Sequence, residues 1–428
     1  MNPEDRGLKC SGAAVNASLM KLLLISQYFW PEDFRINELA SSLLERGVRV
    51  QVLTAKPNYP GGRVFDGYRA FGIQREEHAG VPITRLPIVP RGSGGLRLAA
   101  NYLSFIVSGL VFGPMTERGR NYDVIFVFAP SPILQAIPAL YLGWLKGCPV
   151  VLWVQDLWPE SLSATGHVRN RTVLRLVERV VRFIYRHVDL LLVQSHAFVE
   201  PVRALASGTR IEYQPNSVMD SFAATSTGSC PPVQDIVGDF IVMFAGNIGS
   251  AQAVETVLQS AVLLKAHSDI HFVLVGGGSR WEWMKQQVVV EGLTNLRLPG
   301  RFPVEMMPAF MQAASVLLVT LANQEIFRHT IPSKVQAYLA AGRPIIACLN
   351  GEGARLVTEA GAGLATPAED ARALADAVLA LYRTPAAERQ AMGQRGRAYY
   401  AEHFTHDKLT DRLIAHLESV QPERAKRE

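Results

Sequence analysis

The residues best placed to do chemistry lie in one run, Ile331-Pro332-Ser333-Lys334 through Gly342-Arg343-Pro344. Pro332-Ser333 reads as a helix entry, where unbonded N–H groups and the positive end of the helix dipole can hold an anion. Lys334 adds a mobile cation at that spot. Two turns later Ala340-Ala341-Gly342 ends the helix before the apolar strand Ile345-Ile346-Ala347. A helix that presents its N-terminus and a cation to a cleft suits a diphosphate. An ordinary capped helix between two strands reads the same on geometry alone.

The elements that would position this run follow from length and pattern. With 428 residues, 48% hydrophobic and 19% charged, the chain is globular in type and too long for one core, so two domains are expected. The four cysteines (Cys10, Cys148, Cys230, Cys348) stand far apart, which argues for a reducing compartment and against a zinc site or a disulfide frame. Neither D-x-D nor H-E-x-x-H occurs, so no metal is expected. Residues 20–217 hold 22 Lys/Arg against 15 Asp/Glu, while residues 218–428 hold 19 against 21. The first half therefore faces something anionic. No helix-turn-helix, RNP or zinc-finger pattern supports nucleic acid, which leaves a membrane surface or a phosphorylated substrate.

From Met20 onward, short apolar strands alternate with helices: Leu22–Ser26, Val48–Thr54, Asp123–Phe128, Val150–Val154 and Leu190–Gln194. After a low-hydrophobicity stretch the alternation resumes with Phe240–Ala245, Ile270–Val275, Leu296–Leu298, Val316–Val319 and Ile345–Ala347. The pattern predicts an α/β fold of two doubly wound parallel sheets facing a central cleft. Residues 1–19 read as a disordered extension, 20–217 as the first domain, 218–235 as a linker and 236–402 as the second domain. Glycine turns follow two strands of the second domain, at Gly246-Asn247 and Gly276-Gly277, where the backbone can approach a ligand closely. Neither matches the dinucleotide fingerprint.

Taken in order, Met20–Thr54, Gln155-Asp-Leu-Trp-Pro-Glu-Ser161, Gln214-Pro-Asn-Ser217, Phe244–Gly249, Val275–Gly278, Pro299-Gly-Arg301 and Pro332–Pro344 resemble the motifs of family-four retaining glycosyltransferases of the GT-B fold. The resemblance spans roughly residues 20–420. It is strongest to the bacterial transferases of O-antigen, capsule and colanic-acid assembly, the N-acetylfucosamine transferase type included. It implies a nucleotide-diphosphate sugar in the second domain, a lipid-linked acceptor in the first, and a C-terminal helix over residues 403–420 that returns to the first domain. No cofactor is implied beyond the nucleotide sugar as co-substrate.

Departures from the family pattern shape the site assignment. Many relatives carry two glutamates at the positions of His329 and Ala337, and an Arg and a Lys at those of Asn247 and Gln252. Glu325, one turn earlier, is the candidate substitute for a missing glutamate. Lys334, Arg301 and Arg328 are the candidate cations. The expected donor-binding set is Gly246, Asn247, Gly276, Arg301, Ser333 and Lys334. Asp156, just past an apolar strand, would orient the acceptor or take its proton, although a turn carboxylate is the plainer reading. His329 either hydrogen-bonds the donor sugar or packs beside Phe327.

Two features of the first domain point to a membrane surface. Leu98–Gly113 is apolar but, at 16 residues, short of a span; it reads as a buried or membrane-dipping helix. Arg171, Arg175, Arg179, Arg182 and Arg186 line one helical face that could lie on anionic headgroups or meet a lipid-linked pyrophosphate. The expectation is a peripheral glycosyltransferase on the inner face of the cell membrane. A hydrolysing nucleotide-sugar 2-epimerase of the same fold and a non-catalytic nucleotide-sugar-binding protein are the rival readings.

Overall fold

The computed structural model describes residues 20–92, 94–164, 170–218 and 239–421. The first 19 residues and positions 219–235 of the expected linker lie outside them. Eight strands form the first sheet: β1 (Lys21–Ile25), β2 (Arg49–Ala55), β3 (Gln74–His78), β4 (Val81–Leu86), β5 (Val124–Ala129), β6 (Val150–Val154), β7 (Leu190–Val193) and β8 (Arg210–Tyr213). Their spatial order is β3-β4-β2-β1-β5-β6-β7-β8. The second sheet contains β9 (Phe240–Asn247), β10 (Ile270–Gly277), β11 (Leu296–Gly300), β12 (Val316–Thr320), β13 (Ile345–Cys348) and β14 (Gly363–Thr366), in the order β11-β10-β9-β12-β13-β14. All pairings are parallel except β3 with β4.

The central strands are unbroken apolar runs because helices cover both faces of each sheet; β5, Val-Ile-Phe-Val-Phe-Ala, is buried at every position. Strand order reverses at β1 in the first sheet and at β9 in the second. A doubly wound sheet opens a crevice at the carboxyl ends of the strands beside such a reversal. Strands β3, β8 and β14 escape a reading based on apolar runs. Each sits at a sheet edge and is polar or only half-buried.

The apolar segment expected at Leu98–Gly113 is longer in the structure, a helix over Gly95–Thr116. Among the described residues it is the one helix long and apolar enough, by length and composition, to cross a membrane. One side is nevertheless built into the first domain, with Tyr102, Phe105 and Ile106 in its core.

The C-terminal helix His406–Ser419 packs on the first domain, where Leu413 and Leu417 join the core cluster of Leu22, Leu39 and Val52. Arg46 reaches Asp407 and Asp411 across the same junction, at 2.5 and 2.7 Å. Both carboxylates are largely exposed, so the burial of the leucines holds the junction more than the ion pairs do. Leu413→Ala should therefore cost about 2–5 kcal/mol in a denaturant titration, whereas Arg46→Ala should cost about 1 kcal/mol or less.

Candidate functional site

A cleft of about 660 Å3 lies at the carboxyl ends of both sheets. Its second-domain wall is built on the helix Ser333–Ala341, whose N-terminus carries no side-chain cap. Lys334, in the first turn, is the central side chain. Its Nζ sits 3.4 Å from the centroid of the Phe244 ring and has no hydrogen-bond partner among the described residues. Burial pushes its ammonium down to about pKa 7, because nothing anionic replaces the lost water. The ring face compensates in part. A buried cation beside free helix N–H groups is a receptor for an anion.

The glycine turns make room for this lysine. Gly246, next to last in β9, has φ of 134°, and a Cβ there would lie 2.6 Å from Lys334 Cε. Gly276, its register partner on β10, has φ of 141°, and a Cβ there would lie 1.8 Å from the Gly246 carbonyl oxygen. Beyond them the cleft continues into a recess of about 280 Å3 lined by Asn247, Arg301 and Phe302. Gly246, Asn247, Ser333 and Lys334 thus line the main cleft, while Gly276 and Arg301 line the adjoining recess, which shares Gly246 and Asn247 with it. The positions where many relatives are cationic are occupied by an amide pair, Asn247 Nδ2 donating to Gln252 Oε1 at 3.0 Å. Among the described residues no group of three or more His, Cys, Asp or Glu is placed to hold a metal ion.

From the first domain, Asp33, Arg35 and Glu38 also line the cleft, and sequence reasoning missed all three. Arg35 immediately precedes the helix Ile36–Glu45 and donates to the Ser217 carbonyl at 2.6 Å; burial lowers its guanidinium to about pKa 10. The loop that delivers it is clamped by Glu32, a buried carboxylate that accepts from the N–H groups of Phe29, Asn58 and Tyr59. Burial raises Glu32 to about pKa 7 despite these bonds. The available signal was the charged run Glu32-Asp33-Phe34-Arg35, directly after the first strand and its Ser26–Pro31 turn.

The other expected residues lie elsewhere. Glu325 and His329 line a neighbouring cavity of about 430 Å3 together with Leu157 and Glu160, and do not join Lys334. Glu325 is largely exposed, 3.6 Å from both Arg328 and His329, so it does not stand in for a missing glutamate in the main cleft. Arg328, paired with Glu325 and Asn323 on the surface, likewise supplies no charge to that cleft. The short helix Glu325–His329 instead forms the partition, with Phe327 and Thr330 on the main-cleft side. Asp156 follows β6 next to Leu157 of the smaller cavity, and burial alone pushes its carboxyl up to about pKa 6. The motifs around it tie the domains together. Asn216 Nδ2 donates to Gln155 Oε1 and to Gln194 Oε1, each at 2.8 Å, and Gln336 Nε2 from the second domain donates to the Asn216 carbonyl at 2.6 Å. Arg171, Arg175, Arg179 and Arg186 stand exposed on the helix Arg171–His187, while Arg182 pairs with Glu178 at 2.6 Å.

Gly246→Ala tests the closeness of this packing. The added methyl group meets Lys334 and a disfavoured φ, so a loss of about 1–3 kcal/mol in unfolding free energy is expected, with Gly61→Ala, whose methyl group would meet nothing within 4 Å, as the comparison outside the positive-φ region.

Comparison with known proteins agrees with this architecture. Residues 34–217 match a glycosyl transferase 4-like domain, and residues 239–384 match the glycosyl transferases group 1 domain. A candidate colanic acid biosynthesis glycosyl transferase, WcaI of Escherichia coli K12, is 27% identical over 349 residues, covering 76% of this chain and 82% of that protein. An E. coli trehalose-6-phosphate structure bound with UDP-2-fluoro glucose superposes with a TM-score of 0.72 at 12% identity, over 94% of this chain and 100% of that one. Anabaena HepE in complex with UDP does so with a TM-score of 0.68 at 14% identity, over 94% and 100%. Sucrose-phosphate synthase from Thermosynechococcus elongatus gives 0.68 at 16% identity, over 94% and 98%. With both domains matched in order and the facing sheets in place, the chain belongs to the family-four GT-B glycosyltransferases.

Proposed function

We propose that this glycosyltransferase moves a hexosyl or N-acetylhexosaminyl group, with retained anomeric configuration, from a nucleotide-diphosphate sugar to a lipid-diphosphate-linked acceptor. UDP is the favoured nucleotide and GDP the other candidate. The reaction belongs to surface-polysaccharide assembly, O-antigen or exopolysaccharide, and takes place at the inner face of the cell membrane. The single observation that carries the donor reading is Lys334, a buried cation without a hydrogen-bond partner among the described residues, set beside the uncapped N-terminus of Ser333–Ala341. The UDP ligands of two of the similar structures support it. The exposed arginine face of Arg171–His187 supports the membrane surface.

In this reading the diphosphate lies on Lys334 and the N–H groups of the first helical turn, Arg35 adds charge from the opposite wall, and the nucleoside extends toward Gly276 and Arg301. The bond between the anomeric carbon and the β-phosphate oxygen breaks, and its electron pair stays on that oxygen. Lys334 and the helix terminus stabilise this developing charge without a metal. The acceptor hydroxyl oxygen bonds to the anomeric carbon on the same face, and its proton passes to the departing phosphate or to Asp156. Orientation of the two substrates supplies roughly 7 kcal/mol or more of the barrier.

Thermal unfolding with UDP, GDP, dTDP, CMP and NAD tests the donor assignment. UDP or GDP at 100 times its dissociation constant should stabilise the protein by about 2.7 kcal/mol. Lys334→Ala should weaken nucleotide binding by roughly 30-fold or more, the cost of removing one partner of a buried charge pair. Stabilisation by NAD alone, or by none of these, would contradict the assignment. For Asp156, an ionised carboxylate is the active form, so turnover should fall as pH drops through about 6. Asp156→Asn should remove that acidic limb and lower turnover by about 10²-fold or more, with UDP binding little changed.

A further inference from the structure

The Gly95–Thr116 helix has no charged residue from Leu98 to Thr116. Its inner side is fixed to the first domain. Asn101 accepts from Gln27 Nε2 at 2.8 Å and donates to the Val89 carbonyl at 2.7 Å, and Ser108 donates to the Pro87 carbonyl at 2.7 Å. Its outer side is what needs explanation. Leu96, Leu103, Val107, Val111 and Met115 are 91, 57, 59, 51 and 64% exposed. From Leu103 they recur every four residues, which lays them along one stripe of a helix about 33 Å long. A helix facing water ordinarily turns charged side chains outward; this one turns none outward after Arg97.

The apolar surface continues onto the helices beside it. Ala136–Lys146 packs against Gly95–Thr116 through Pro138 and Leu142, and presents Trp144, 78% exposed and stacked on Tyr141, together with Leu145. Arg171–His187, packed in turn on Ala136–Lys146, presents Leu176 and Phe183 among its exposed arginines. The one carboxylate of that helix, Glu178, is taken up by Arg182. An apolar ridge, an exposed tryptophan and tyrosine, and a cationic flank without free acid together match the apolar margin and the phosphates of an anionic leaflet. A second copy of the chain fits less well, because a two-fold contact through this face would set its arginine rows against themselves.

We propose that these three helices form a membrane-insertion face. Leu103, Val107, Val111, Met115 and Trp144 enter the apolar edge of the leaflet, and Arg171, Arg175, Arg179 and Arg186 rest on lipid phosphates. The proposal deepens the membrane reading above and rests on it.

Sedimentation of the full chain with vesicles of phosphatidylcholine, alone or mixed with phosphatidylglycerol, tests it. The wild type should pellet with the mixed vesicles. The doubly substituted Leu103→Asp, Val107→Asp protein should partition at least tenfold less while keeping its thermal stabilisation by UDP. Arg175→Glu with Arg179→Glu should lose the salt-sensitive part, roughly fivefold for each arginine. As a check that does not depend on the folding of a charged variant, brominated lipid should quench the tryptophan fluorescence of the wild type more than that of Trp144→Phe. Wild-type protein left in the supernatant, or an aspartate variant that pellets like the wild type, would overturn the proposal. A wild-type dimer that the aspartates split, without vesicle binding, would assign the face to self-association instead. Stabilisation by UDP in the same samples separates any such failure from a failure of the donor reading.

Discussion

A lysine ammonium buried against an aromatic ring without an oxygen to pair with is the constraint around which this molecule is arranged. Lys334 loses its water to the cleft wall and gains only the face of Phe244 in return. The fall from its ordinary pKa to about 7 corresponds to on the order of 5 kcal/mol of disfavour for the charged form. A diphosphate bound there, as proposed, would reverse that balance, so that affinity and charge are gained together. The neighbourhood serves this placement. Gly246 lacks the side chain that would collide with the lysine stem. The buried Tyr338 hydroxyl accepts from the Ala245 N–H at 2.9 Å and holds the strand end beside it. Where many relatives use an arginine and a lysine after that strand, Asn247 and Gln252 bond each other. The cations that line this cleft are instead Lys334 at the helix terminus and Arg35 on the opposite domain.

That redistribution makes the junction between the domains part of the site. Arg35 belongs to the first domain but donates to Ser217 at the end of that domain's chain. Ser217 in turn bonds His406, and His406 bonds Ser42. Gln336, two residues after Lys334, donates to Asn216. A shift of one domain against the other therefore alters the cation placed opposite Lys334. The joint is polar and incompletely paired: Gln155 Nε2, Asn216 Oδ1 and Gln336 Oε1 are buried without partners among the described residues. Each such atom costs roughly 1–3 kcal/mol, and opening the cleft to water would return much of it. The leucines of the C-terminal helix, buried in the first-domain core, keep the chain anchored across the junction.

Much of the fold was legible because buried parallel strands are plain in sequence. Val124–Ala129 or Ile345–Cys348 could hardly be anything else. The edge strands were not, since Gln74–His78 is held by its neighbour Val81–Leu86 and not by its own apolarity. In the site, the placement of Gly246, Gly276 and Lys334 around neighbouring hollows was readable because glycine turns and helix termini are local features. Arg35 was not readable, because its role comes from a domain packed against another. Glu325 and His329 were placed by counting along an aligned motif, and the partition helix diverts them into the smaller cavity. The Gly95–Thr116 helix was seen as apolar, but sequence could not say which side the protein covers and which it leaves bare.

The most direct measurement of the central claim is the number of protons taken up when UDP binds at pH 8, from calorimetry in buffers of different ionisation enthalpy. UDP is fully ionised there, and a lysine of pKa about 7 is mostly neutral until the diphosphate arrives. Uptake approaching one proton per UDP, abolished in Lys334→Met, is the predicted result. Binding without proton uptake, or uptake that survives in Lys334→Met, would contradict the account and place the diphosphate elsewhere.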